Sequence, residues 1–171
     1  MAEADYSTGR EDQLEKEQLM QLVRFNIDKQ QFGVDILVVQ EIIRAAPITP
    51  VPNSPDFVEG VINLRGNIIP VVELRKRLNL NPGEIDHEDI WIIILDIDGR
   101  ITGFIVDSVS EVLKIQESSI EMPHDIIVAG LGSQYIRGVC DIGGKLLILL
   151  DFRRILRVEE INKLKEMVES A

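Results

Sequence analysis

Few residues in this chain are suited to chemistry, and their spacing argues against most of what they could do. The two histidines, His87 and His124, have no cysteine or second histidine at ligand spacing, so no metal site is expected. Gly130-Leu-Gly132 supplies two glycines of a dinucleotide loop without the third, and lacks the strand-then-helix context. Asp96-Ile-Asp98-Gly99 has the acids of a calcium loop but neither a glycine at loop position six nor a closing glutamate; a hairpin turn accounts for it. No nucleophile elbow, Walker loop or His-Glu-x-x-His occurs, and two histidines are a thin supply of general bases. The expectation is a protein that is not an enzyme and carries no cofactor. Cys140, the single cysteine, cannot form an internal disulfide and reads as a small core residue. Glu41 and Arg65 remain. A carboxylate holding a planar guanidinium could fix a binding surface, whereas the alternative for Arg65 is a solvated side chain at a hairpin tip.

Composition narrows the partners. The 171 residues are 45% apolar, enough for a packed core, and carry 29 acids against 18 Lys plus Arg, a formal charge of -11. Such a surface repels nucleic acid and anionic lipid, so no nucleic-acid partner is expected. Residues 1–20 contain six acids and two bases without an apolar run, unlike a secretory signal. No window approaches the ~18 apolar residues of a membrane span, so direct membrane insertion is not expected and a cytoplasmic setting is.

The elements that must position Glu41 and Arg65 are mostly strands. Short β-rich runs bounded by turn residues fall at Leu22–Asp28, Gln31–Ile36, Val58–Leu64, Ile68–Val72, Trp91–Ile97, Ile101–Asp107, Val109–Ile115, Ile136–Asp141 and Leu146–Leu150. Asp98-Gly99 and Gly143-Gly144 sit at hairpin turns. Helical spacing marks Glu73–Leu80, Asp151–Met167 and, through the i,i+4 pairs Val38/Ile42 and Val39/Ile43, Leu37–Arg44. Residues 1–19 read as a flexible tail and 81–89 as a linker.

The two halves resemble each other. Gly60–Leu78 lies without a gap on Gly138–Leu156, an offset of 138 − 60 = 78, with Gly60/Gly138, Gly66/Gly144, Arg75/Arg153 and Leu78/Leu156 identical. Upstream, Ile27–Ile42 lies on Ile97–Val112 with offset 103 − 33 = 70, matching Gly33/Gly103 and Glu41/Glu111. The expected organisation is a first β unit over 20–80, a second over 90–152, and a C-terminal helix over 153–171. Units this small bury little surface alone, so a shared apolar seam is expected between them.

The runs Val34–Ile43, Ile48–Pro52, Phe57–Arg75 and Val106–Leu113, in that order, resemble the CheW family over residues 20 to 158. The resemblance implies a mainly β fold of two SH3-like five-stranded barrels sharing an apolar interface, with short helices and a C-terminal helix. It implies an adaptor that couples chemoreceptors, at their cytoplasmic tip, to the regulatory domain of the histidine kinase CheA, recruited to membrane-associated receptor arrays. The receptor-binding role falls on Ile36, Val39 and Ile42, with Val23 flanking and Glu41 and Arg65 as the polar members; Gly60 is the candidate at the kinase contact. A small-molecule-binding β-barrel or a hydrolase is the alternative.

Overall fold

β-Branched runs separated by turn formers become ten strands in the computed structural model, which describes residues 18–80, 89–122 and 133–156. In chain order these are β1 (Leu19–Ile27), β2 (Gln30–Asp35), β3 (Val39–Arg44), β4 (Val58–Leu64), β5 (Asn67–Glu73), β6 (Trp91–Ile97), β7 (Arg100–Val106), β8 (Ser108–Gln116), β9 (Ile136–Ile142) and β10 (Lys145–Leu150). Two single-turn helices follow β5 and β10: α1 (Leu74–Arg77) and α2 (Phe152–Ile155). The expectations for the tail over 1–17, the linker over 81–88, both histidines, Gly130-Leu-Gly132 and the C-terminal helix past Leu156 lie outside the described residues.

Three hairpins are closed by one device. Arg65-Gly66, Asp98-Gly99 and Gly143-Gly144 each take two positive φ values, the pattern of a type I′ turn that matches strand twist. Two residues before each pair, the Oδ1 of Asn63, Asp96 or Asp141 accepts the backbone N–H of the pair's second residue, Gly66, Gly99 or Gly144, at 2.8–2.9 Å. Asp96 is thereby employed in its own turn.

One expected helix is instead a strand. Ile36–Val38 forms a 3-10 turn, and Val39–Arg44 continues as β3, paired with β6 through Val39↔Leu95 and Ile42↔Ile93. Stiff β-branched side chains with a partner strand at hand outweigh the i,i+4 spacing. The other two helical stretches shorten to α1 and α2 within the described residues, capped by Glu73 and Asp151, whose carboxylates accept the N–H of Arg75 and Arg153.

The strands form two five-stranded sheets with orders β8-β1-β2-β10-β9 and β3-β6-β7-β5-β4. Neither sheet is a sequence half. Each takes the first hairpin of one half and the last three strands of the other, so the division into 20–80 and 90–152 does not follow the sheets. The exchange is symmetric: the parallel pair β5/β7 has Val71 opposite Gly103, and its counterpart β10/β2 has Leu149 opposite Gly33, offsets of 149 − 71 = 78 and 103 − 33 = 70. A repeat specifies equivalent strands with equivalent edges, and each hairpin then satisfies its ladder on the other copy as well as on its own. The chain crosses between sheets at Ile36–Val38 and again at Asp107.

Three cores result. Ile62, Ile69, Val71, Ile92 and Ile94 fill one barrel; Met20, Leu22, Cys140, Leu147 and Leu149 fill the other. A larger apolar core, including Phe25, Phe32, Ile93, Leu95, Phe104, Ile148 and Phe152, lies between them as the expected seam. Burial pushes the Cys140 thiol up, as suits a core residue.

Candidate functional site

β3 is an edge strand, and its two faces serve different surroundings. Val39 and Ile42, with Ile36 and Val38 from the preceding turn, are half-buried against the seam between the barrels. Glu41 turns instead to the open end of the barrel, where its carboxylate accepts two hydrogen bonds from the Arg65 guanidinium, at 2.7 and 3.0 Å. The bidentate pair expected from residue type is therefore formed. β3 and the β4–β5 hairpin belong to opposite edges of the same sheet, so this ion pair draws those edges together. Arg65 is 74% exposed and holds φ at +53°, a conformation costing of order 1 kcal/mol in a residue with a Cβ. Its charge is presented to solvent on a strained tip rather than sunk into packing.

Below the pair is a groove of about 670 Å³, lined by Leu64, Asn67, Ile68, Arg100 and Ile101 among others. Ile68 and Ile101 expose 40% and 39% of their surface there. Among the described residues no group of three or more His, Cys, Asp and Glu could hold a metal, and no helix is long and apolar enough to cross a membrane.

Two candidates sit elsewhere. Val23 is 3% exposed and belongs to the seam core, so it supports the surface from beneath and cannot line it. Its strand is paired on both sides, by β2 and β8, and so has no open edge there. Gly60 is also buried, because the backbone of Thr49 passes directly over it: a Cβ there would stand 2.1 Å from the Thr49 carbonyl oxygen. Its requirement is steric, an allowance for close approach at φ +150°.

Two residues escaped the sequence reading. Leu37 is 87% exposed, the most exposed large apolar side chain among those described, and projects from the turn that feeds β3. It stands within the apolar run Ile36-Leu-Val-Val39, where nothing in the sequence separates inward from outward. Arg75, by contrast, is 4% exposed and is held by Asp28 and by both oxygens of Asp107, each at 2.6 Å. Burial opposes its charge, yet hydrogen bonds to Asp107 and Asp28 raise its pKa above the ordinary value. The identity Arg75/Arg153 in the repeat was the one available signal. Beside it, burial lifts the Glu73 carboxyl to about 7, even though it accepts the Arg75 N–H, and its second oxygen has no hydrogen-bond partner among the described residues.

Comparison with known proteins places this geometry. The family model described as CheW-like domain matches residues 21–160. A chemotaxis protein CheW of Treponema pallidum is 33% identical over 150 residues, 86% of this chain and 88% of that one. The corresponding protein of Thermotoga maritima is 38% identical over 141 residues, covering 82% and 89%. Among solved structures, the scaffolding protein TtCheW from Thermoanaerobacter tengcongensis superposes with a TM-score of 0.74 at 35% identity, covering 82% of this chain and 90% of that one. These matches lend no support to a small-molecule-binding barrel or a hydrolase.

Proposed function

The chain belongs to the CheW-like domain family, and from that premise we propose how it works as a chemotaxis adaptor. It is a scaffold rather than an enzyme, and its partners are chemoreceptors and the kinase CheA. In finer detail, the cytoplasmic tip of a receptor presents an amphipathic helix to the apolar side chains Ile36, Val39 and Ile42 along the seam, and the regulatory domain of CheA occupies a second surface. The adaptor resides in the cytoplasm and is recruited to receptor arrays at the membrane.

The observation that carries this reading is the arrangement of β3, an edge strand with half-buried apolar residues on one face and the Glu41–Arg65 pair on the other. A helix laid along the strand buries its apolar stripe against the first set, and the exposed charges fix its register. Binding energy spent in this way holds two partners in fixed relation, so that a shift in the receptor biases the kinase between states. The deciding experiment is a pulldown of receptor and kinase with Arg65→Glu. Recovery of at least one partner drops while the melting curve stays where it was; undiminished recovery of both overturns the assignment.

A further inference from the structure

The seam has two ends that the repeat makes equivalent, and they are built differently. At one end Arg75 lies buried between Asp28, in the β1–β2 turn of one sheet, and Asp107, at the crossover from the other. Asp107 is wired further: its Oδ2 accepts the Asp28 N–H at 2.7 Å, and its own N–H donates to the Asn26 carbonyl oxygen at 3.0 Å. Lys76 adds a pair with Glu59 at 2.6 Å.

The equivalent positions at the other end are Arg153 (75 + 78), Asp98 (28 + 70) and Leu37 (107 − 70). The acid that completes the clamp is therefore a leucine. Arg153 reaches Asp98 at 3.2 Å, but its side chain is 76% exposed, and Leu37 points into solvent. The Leu37 N–H is capped by Asp35 of its own strand and makes no bond across the seam. Glu59 and Lys76 correspond to Arg137 and Arg154, which do not pair with each other but reach Glu117 at 3.7 Å and Asp151 at 3.5 Å. Where the buried guanidinium would stand there is instead a cleft of about 330 Å³, lined by Ile97, Asp98, Leu150, Phe152 and Arg153.

We propose that the two barrels form a hinge, pinned at the Arg75 end and opening at the Arg153 end. The argument is one of unequal restraint. The seam between the two ends is mainly apolar, crossed by a hydrogen bond from the Arg77 guanidinium to the Ile155 carbonyl oxygen at 2.8 Å, and tolerates small sliding of its faces, whereas a buried guanidinium bonded to two part-exposed carboxylates has one geometry and a large cost for leaving it. Opening at the Arg153 end separates one solvated ion pair and the half-buried contacts of Ile36 and Val38, with no buried charge to strand, so motion concentrates there. The crossover at that end is the Ile36–Val38 turn that leads into β3, so opening carries β3 with it.

The test is a pair of distance measurements on the full-length chain in the absence of any partner. Spin labels go on Gln30→Cys with Lys76→Cys across the pinned end, and on the equivalent Arg100→Cys with Arg154→Cys across the other, both with Cys140→Ser. The expected result is a narrow distance distribution for the first pair and a broad or two-peaked one for the second. Leu37→Asp, which supplies the missing acid, narrows the second distribution, and Asp107→Leu broadens the first. Equal widths at both ends, or a second distribution unmoved by Leu37→Asp, overturns the proposal. Because Leu37→Asp removes an exposed apolar side chain and adds a pairing, it keeps the test decisive even if Asp107→Leu does not fold.

Discussion

The stretch from Gly60 to Leu78 and its copy from Gly138 to Leu156 share strand, turn, strand and capped helical turn, yet the chain uses them for opposite purposes. In the first copy the hairpin tip carries Arg65, paired to Glu41 on the far edge of the sheet, and the helical turn carries the buried Arg75. In the second copy the tip is Gly143, so the residue equivalent to Glu41, Glu111, has no arginine at the matching tip, and Arg153 is 76% exposed. Identical scaffolding thus supports a charged, locked region and a plain, open one. The lesson is that duplication supplies geometry, while the few residues that differ decide where energy is concentrated.

The sharpest way to break this comparison is to remove the lock. Asp107→Ala takes two hydrogen bonds from the buried Arg75 guanidinium, and stability falls by about 3 kcal/mol, against at most about 1 kcal/mol for Arg153→Ala. Urea denaturation midpoints at constant slope measure both. If the two cost the same, the ends of the seam are not different in kind.

The glycines come next. Gly60→Ala drives a Cβ into the Thr49 backbone at positive φ and costs roughly 3 kcal/mol, while Gly138→Ala, without a positive φ, meets Ile120 Cγ2 at 2.3 Å and the Glu121 carbonyl oxygen at 3.0 Å and costs less, roughly 2 kcal/mol. Thermal melts of the two variants rank them.

Glu73 sharpens the contrast through pH. Its carboxyl is raised from 4.5 to about 7 in the folded protein, so over that interval the folded chain holds a proton that the unfolded chain has released. Its contribution to stability is therefore complete below pH 4.5, declines as pH rises, and is gone above about 7. Glu73→Gln, which keeps an oxygen for the Arg75 N–H, removes this decline; denaturation at pH 5, 6, 7 and 8 shows a flatter profile than the parent.

The smallest effect on stability belongs to the hairpin tip. Arg65→Ala changes it by less than about 1 kcal/mol, because the pair is largely solvated. Its effect on receptor or kinase recovery is expected to be the larger readout, and Gly143→Arg, the reciprocal graft, leaves that recovery unchanged.

Much of this was legible in the amino-acid order. β-Branched runs and turn pairs located nine strands to within a few residues, since period and turn chemistry are local. Side-chain chemistry offered the pairing of Glu41 with Arg65 as one of two readings, the other a solvated hairpin tip, and the tertiary structure decided for the pair. Leu37–Arg44 misled because its apolar residues satisfy a helical spacing as well as a strand, and the partner that decided between them, β6, lies some fifty residues away.

The sequence by itself determined the class of fold, the repeat, and the residue types available for recognition, because these depend on composition and short-range spacing. Only the tertiary structure decided which copy each hairpin joins, that Val23 and Gly60 lie inside, and that one arginine of an identical pair is buried. Those outcomes turn on long-range packing, where equivalent strands offer equivalent edges and the partners of a side chain come from the other half of the chain.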